Sequence, residues 1–413
     1  MLEGRGIKID KKILQINVTL NSGSTGRIAE NLGLLVIEGG GVSYIAYGRK
    51  RTKSSSLPVK IGSFLSVGIH GLLTRFCDMH GLGSRIATIR LVKEIKRINP
   101  DLIHLHNIHG YYINIKVLFR FLKQYDRPVL WTLHDCWSFT GHCTYFSHID
   151  CLKWQTGCYK CPLIRDYPAS LGFDRSIKNF KLKKQLTLSL NKLTIVTVSD
   201  WLRSLTEKSF LNHLDRFVIH NGVDLDIFRP YEIDVKKKYG ITTDKYILGV
   251  ANKWSKRKGL HDILELRKIL DPDIKIVLVG GRLSPNINIP GKIKCFNKTE
   301  DIQMLAELYS GAEVFINPSS MESFGLTTVE AMACGTPVIV YNSTASPEIV
   351  NPSVGIVVEK HDIKGFHAAI MRVLSDGKQK YTKECRSFVE QYFDKNKQNI
   401  KYINLYKRIL GID

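Results

Sequence analysis

"INPSSMESFGLTTVEAMACGTPVIVY", residues 316–341, decides the fold. An apolar run ends at Asn317-Pro318, a polar turn carries Glu322 and Gly325, and the residues after Gly325 begin a helix. Gly335 stops that helix in the manner of a C-terminal glycine cap, and Thr336-Pro337 opens a buried strand. The stretch therefore reads strand, glycine turn, helix, strand. Gly325 lets a ligand approach the backbone, and the first N–H groups of the helix, with its dipole, favour a phosphate.

Two carboxylates flank this helix mouth. A carboxylate offers only acceptors, and its two oxygens suit a vicinal diol. A nucleotide sugar supplies both chemistries, and the expected arrangement puts its diphosphate at the helix mouth, its ribose on Glu330 and its sugar on Glu322. Taken singly, each glutamate also fits a plainer reading, an acid that complements the helix dipole.

Working outward, strand and helix alternate along the whole chain. "KILQINVTL", a glycine loop in "NSGSTGR" and a helix in "IAENLGLLVIE" open it. After "FVIHNGVDLDIFRP" the pattern restarts with "YILGVANKW" and "IKIVLVGG". Repeated alternation predicts an α/β chain with two doubly wound, Rossmann-like domains and parallel sheets. The expected boundaries are 1–226, 227–394 and a C-terminal helix, 395–413, returning to the first domain, with a cysteine-rich insert at 136–175 in the first.

The bulk numbers agree. A chain of 413 residues, 44% hydrophobic and 24% charged, has the balance of a folded soluble protein and the length for two cores. No run of about 18 apolar residues appears, and the start lacks the apolar stretch of a secretion signal. These features lead to an expected place in the cytosol, where the nine cysteines read as thiols or metal ligands. A formal charge of +22 suits nucleic acid, an anionic membrane surface or a phosphorylated substrate. Neither an aromatic RNA-binding signature nor finger-like Cys/His spacing is present, so nucleic acid ranks below the membrane surface.

"ESFGLTTVEAMACGTPVI" resembles the E-x-F-G-x-x-x-x-E segment of glycosyltransferase family 4, retaining enzymes of the GT-B fold, in which two Rossmann-like domains face a central cleft. "GSTGR", "NPDLIHLHN", "VLWTLHD", "VIHNGVDLDIFRP" and "RKGL" resemble further family blocks in the same order, over nearly the whole chain. The resemblance implies that Glu330 is the ribose ligand and that Glu322 contacts the donor sugar. It gives Ser323, Phe324, Gly325 and Leu326 the turn whose backbone reaches phosphates and sugar. Lys258 then neutralises the leaving diphosphate, Gly26 admits the donor to the first domain, and His134 lies near the transferred sugar. The catalytic set is thus His134, Glu322 and Lys258.

One departure stands out. Many members carry an arginine six residues before the lysine, where this chain has Asn252. Lys253 and Arg257 are nearby, and Arg257, beside Lys258, is the expected second cation. The family mechanism is attack on the same face as departure, with a donor phosphate oxygen helping to take the acceptor's proton. Metal ions are not expected in catalysis: the Asp-x-Asp pairs at 224–226 and 271–273 read as an interdomain segment and a turn. "HLHNIH", residues 104–109, is expected to shape the site rather than bind a metal.

"HDCWSFTGHCTYFSHIDCLKWQTGCYKCP" holds Cys143, Cys151, Cys158 and Cys161. Four thiolates can close a structural zinc site, and unligated thiols are the equal alternative. Cys77, Cys136, Cys295, Cys334 and Cys385 are expected to pack. The block resembles that of family 4 enzymes of the colanic-acid type that build capsular and exopolysaccharides, which implies a nucleotide-diphosphate sugar donor and a lipid-linked saccharide acceptor at the inner face of the cytoplasmic membrane. "RSIKNFKLKKQLTLSLNK", residues 175–192, is the expected membrane-facing helix, with packing on the first domain as the alternative. A nucleotide-sugar 2-epimerase of the same fold and a basic nucleic-acid-binding protein are the competing functional readings.

Overall fold

The structure, a computed structural model, describes residues 8–241, 245–281, 293–297, 299 and 301–412. It divides into two compact units, one running to Ile219 and taking up the chain again from Asn399, the other spanning His220–Gln398. The division falls before the expected residue 226.

Unit 1 contains β1 (Lys12–Asn17), α1 (Gly23–Glu38), β2 (Val42–Tyr47), β3 (Leu57–Lys60), α2 (Phe64–Cys77), α3 (Arg85–Ile98), β4 (Leu102–Leu105), α4 (Ile115–Tyr125), β5 (Val129–Leu133), α5 (Ser176–Leu188), β6 (Leu193–Thr197), α6 (Asp200–Glu207) and β7 (Asp215–Val218). Its sheet runs β3-β2-β1-β4-β5-β6-β7, parallel throughout. Strand order reverses direction beside β1, so β1 and β4 are neighbours whose following loops leave to opposite sides. Such switch points open a crevice at the carboxyl ends of the strands. Here those ends carry Thr19–Gly26, His106–His109 and His134-Asp135. Helix α1 begins at Gly23, earlier than expected, which puts Gly26 inside its first turn.

Unit 2 contains α7 (Val235–Lys238), β8 (Tyr246–Lys253), α8 (Leu260–Ile269), β9 (Lys275–Gly281), β10 (Ile293–Asn297), α9 (Ile302–Gly311), β11 (Val314–Asn317), α10 (Leu326–Ala333), β12 (Val338–Tyr341), β13 (Gly355–Val358), α11 (Ile363–Asp376) and α12 (Gln379–Tyr392), with α13 (Lys395–Leu410) continuing into unit 1. Its parallel sheet runs β10-β9-β8-β11-β12-β13, with the switch point between β8 and β11. Both units are the doubly wound α/β sheets expected from the alternation.

The C-terminal helix expected at 395–413 is α13, and α12 ends just ahead of it at Tyr392. Between them Phe393 and Asp394 run against Val223: the Val223 N–H donates to Phe393 O at 2.8 Å and the Lys395 N–H to Val223 O at 3.0 Å. Beyond the break, α13 packs on the sheet of unit 1 through Tyr402, Ile403 and Tyr406, in one cluster with Ile13, Leu102, Leu130 and Val196. Two buried hydroxyls of α13 fix that docking. Tyr406 Oη meets His104 Nδ1 at 2.6 Å, and Tyr402 Oη accepts from Thr132 Oγ1 at 3.3 Å.

Candidate active site

In unit 2 the loops after β8 and β11 meet at the switch point. The β8–β9 register slips between Ala251 and Lys253, a bulge that leaves Asn252 unpaired at the strand end with both residues exposed. The chain then turns through residues 255–259. Gly259 has φ +75°, and a Cβ there would lie 2.1 Å from Pro318 O. Only glycine lets this turn sit directly on the one after β11. That contact brings Lys258 Nζ onto Glu322 Oε1 as a short ion pair. Arg257 lies on the same turn, donating from Nη1 to Met321 O at 3.2 Å, and the Ser320 N–H returns a bond to Arg257 O at 2.9 Å.

Glu322 is held from both ends, since its own N–H donates to Thr344 Oγ1 at 2.8 Å. Burial pushes its carboxyl upward, but the Lys258 charge and hydrogen bond, with Arg257, outweigh burial and hold its pKa below the ordinary value. Glu322 is therefore an anion near neutral pH, locked to a cation.

Next to this pair lies the mouth of α10. Gly325 caps it at φ +107° with no side chain to offer, and the first turn holds no acid. The positive end of the helix is thus left uncompensated by its own residues and suits an anion. Ser323 and Leu326 are half-buried, whereas Phe324 is buried, stacked on His220 at 5.7 Å and edge-on to Phe393 at 5.6 Å. Its side chain anchors the turn, leaving the backbone as the part of Phe324 available to a ligand. Glu330, on the second turn, accepts from the Tyr309 hydroxyl at 3.1 Å through Oε2. Gly335, at φ +75°, ends the helix as expected.

In unit 1, Gly26 is small for a local reason as well. A Cβ there would lie 2.7 Å from Thr19 Oγ1, so glycine lets α1 start hard against the loop after β1. His134 belongs to a chain of side chains whose proton positions can be worked out. The Gln15 amide donates through Nε2 to Ala29 O at 2.7 Å, so its Oε1 must accept from His106 Nε2 at 3.0 Å. Neutral His106 then has a bare Nδ1, which accepts from His134 Nε2 at 3.2 Å, and His134 keeps its own Nδ1 as an acceptor. Burial lowers the His134 pKa to about 4, so the ring is neutral at physiological pH. A positioning role suits it better than that of a cation.

The "HLHNIH" residues separate. His104 is buried between Tyr406 and Thr132 and serves the fold. His106 forms the relay, and His109 Nε2 pairs with Asp135 Oδ2 at 2.8 Å. Sequence reasoning missed Asp135 and Gln15. Asp135 follows His134 directly in "LHD", and that adjacency was the available signal; Gln15, in the middle of an apolar strand, gave none beyond being polar where a core residue belongs.

Cys143, Cys151, Cys158 and Cys161 line a common pocket. The Gly141 N–H donates to Cys158 Sγ at 3.2 Å, and a bond from Cys143 pulls the Cys161 thiol below the usual range while pushing Cys143 up. No three of the four sulfurs, however, lie all within 4.8 Å of one another, so the arrangement does not support a closed tetrahedral site. Among the remaining cysteines, Cys136, Cys334 and Cys385 are buried, Cys77 is half-buried, and Cys295 is exposed rather than packed. Helix α5 takes the second of its two expected readings, packing on the first domain. It buries Asn179, Phe180, Lys183 and Leu186, and Lys183 Nζ donates to Trp137 O at 2.6 Å and Thr140 O at 2.9 Å. Through these bonds α5 pins the cysteine-rich insert.

Comparison with known proteins follows the same division. Residues 42–227 match the family described as Glycosyltransferase Family 4, and residues 232–391 the family described as Glycosyl transferases group 1. WcaC of Escherichia coli (strain K12), named as a colanic acid biosynthesis glycosyl transferase, is 25% identical over 379 residues, 85% of this chain and 88% of its own. Sucrose-phosphate synthase from Thermosynechococcus elongatus aligns with a TM-score of 0.73 at 18% identity, covering 97% of this chain and 99% of that one. Anabaena Alr3699/HepE, solved in complex with UDP and glucose, aligns with a TM-score of 0.68 at 15% identity, covering 96% and 99%.

Proposed function

The chain belongs to glycosyltransferase family 4, retaining nucleotide-sugar-dependent hexosyltransferases of the GT-B fold, and from that premise we propose that it moves a hexose-type sugar from a nucleoside-diphosphate donor to a lipid-linked saccharide, in bacterial surface-polysaccharide assembly at the inner face of the cytoplasmic membrane. The similarity to WcaC over 85% of the chain supports the pathway. One observation carries the site assignment: the Lys258–Glu322 ion pair beside the uncompensated mouth of α10.

The bond between the sugar's anomeric carbon and the diphosphate breaks, and a bond to the acceptor oxygen forms on the same face. The acceptor's proton passes to a donor phosphate oxygen. Negative charge grows on the departing diphosphate, and Lys258, Arg257 and the backbone amides after Gly325 are the groups that stabilise it. Glu322, kept ionised by Lys258, accepts from hydroxyls of the donor sugar. Glu330, oriented by Tyr309, takes the ribose diol. His134 offers a neutral acceptor nitrogen to a sugar hydroxyl, with Gln15 and His106 fixing its tautomer. Catalysis in this family is metal-independent.

A donor screen tests the proposal: uridine- and guanosine-diphosphate hexoses with polyprenyl-diphosphate sugar acceptors. Transfer that disappears in Lys258→Ala and Glu322→Ala supports the assignment. Parent rates in both variants overturn it.

Zinc at the cysteines forms a separate, narrower part of the proposal. Its support is that all four line one pocket and that Cys158 already accepts a backbone N–H, as a metal-bound thiolate does. Binding requires the sulfurs to close up from their present spacing.

A further inference from the structure

We propose that the outward face of α2, with the loop at 170–173, seats this chain on an anionic lipid bilayer. The helix is amphipathic the wrong way round for a protein surface. Its buried residues are His70 and Thr74, and Phe64, Leu65, Ile69, Leu72 and Phe76 are exposed, Phe64 at 93% and Leu65 at 71%. Positions 64, 65, 68, 69, 72, 75 and 76 form one helical stripe, in which Arg75 is the one charged residue. Gly68 supplies no bulk, and a Cβ there would meet nothing within 4 Å.

The orientation is enforced by hydrogen bonds. His70 Nε2 accepts from the N–H groups of Gly81 and Gly83, both at 3.2 Å, and His70 Nδ1 meets Ser84 Oγ at 3.0 Å. Rolling α2 to bury its apolar stripe would strip those bonds from a buried ring and put an unsatisfied imidazole in their place. The apolar face thus stays outward by construction. The stripe is extended at its C-terminal end, where the Leu171 N–H donates to Arg75 O at 2.7 Å and Gly172 packs on Phe76 O, presenting exposed Leu171 and Phe173.

Charge selects the occupant. Between Glu38 and Asp78 the chain has no acidic residue, while Arg49, Lys50, Arg51, Lys53, Lys60 and Arg75 fall within it. The first turns of α3, held beside α2 through Ser84, add exposed Arg85, Ile86 and Ile89. Large apolar side chains that enter an acyl layer, flanked by cations for the headgroups, match an anionic membrane interface. Asp174, next to Phe173, is an exposed acid at the edge of this surface, and the cations outnumber it there. An apolar face meant for a second protein copy has no use for so basic a surround. This inference deepens the lipid-linked part of the proposed function, and it gives the membrane contact to α2 in place of α5.

The test is co-sedimentation of the full chain with phosphatidylcholine vesicles, with and without phosphatidylglycerol, in the absence of donor and acceptor. Binding to the anionic vesicles is expected to fall by about tenfold in Leu65→Ser/Leu72→Ser, and by less than about twofold in the α5 variant Lys181→Ala/Lys184→Ala. Sugar transfer to a water-soluble acceptor should be unchanged in the α2 variant, which separates failure of docking from failure of the functional reading. Equal vesicle binding by parent and α2 variant overturns the proposal, as does a parent dimer in sedimentation velocity that the α2 variant abolishes.

Discussion

Lys258 and Glu322, 64 positions apart in sequence, form a short ion pair at the carboxyl-end switch point of the unit 2 sheet. The pair exists because Gly259 has no side chain to hold its turn away from Pro318. Each partner fixes the other, so a donor diphosphate would meet a lysine already in place, at little further cost in side-chain entropy.

Removing the cation should strike the chemical step. Lys258→Ala is expected to lower kcat by roughly 100-fold or more, the usual effect of deleting one group that stabilises developing charge. Glu322→Gln keeps the shape and loses the anion, and should raise KM for the donor as well as lowering kcat. Steady-state kinetics with varied donor check both.

The Gly259 contact gives a structural counterpart. Gly259→Ala places a methyl 2.1 Å from Pro318 O in a backbone with φ +75°. The left-handed backbone alone costs about 1–2 kcal/mol, and the collision adds to it. Lower thermal stability together with a drop in transfer, because Lys258 moves with the turn, is the expected result; a variant that keeps both would break the link between this turn and the site.

Acid should destabilise unit 1 in a defined window. The His134 pKa is lowered from 6.5 to about 4 by burial, and His104 and His106 lie well below the ordinary value for the same cause. The unfolded chain therefore binds protons that the folded chain refuses. Stability falls as pH drops from about 6.5 towards 4, and the His134 part of the loss is complete below that. His134→Gln should shallow this slope, read by denaturant titration at several pH values. Glu322 acts in the same direction at lower pH: its depressed pKa gives stability that is present above 4.5 and lost as pH falls through the folded value.

Metal content settles the cysteine pocket. Protein prepared under reduction with zinc supplied should carry about one zinc per chain if the sulfurs close up, and lose it in Cys158→Ser/Cys161→Ser. Protein without zinc that melts at the same temperature as the zinc-supplied sample removes the metal from the account.

Much of the architecture was legible because it is periodic. Most strands and the helices between them announce themselves by local apolar spacing and by glycine and proline stops, and the E-x-F-G turn with Gly335 after it is a purely local signal. What local spacing left open shares a physical origin. The alternation of lysines with apolar residues over 175–192 fits a membrane-facing helix and a packed one alike, and the packing is visible only once Lys183 is seen to find two backbone carbonyls. No glycine or proline separates α12 from α13, and it is the pairing with Val223 that parts them.

The sequence by itself determined the α/β class and the glycine turn with its two glutamates, since both rest on neighbours within a few residues. Tertiary structure alone decided that Lys258 grips Glu322, that Gln15 sets the tautomer of His134, and that α2 turns its apolar stripe outward. These relationships depend on which loops the strand order brings to the same end of a sheet and on which face of a helix finds hydrogen-bond partners. Neither is encoded in local spacing.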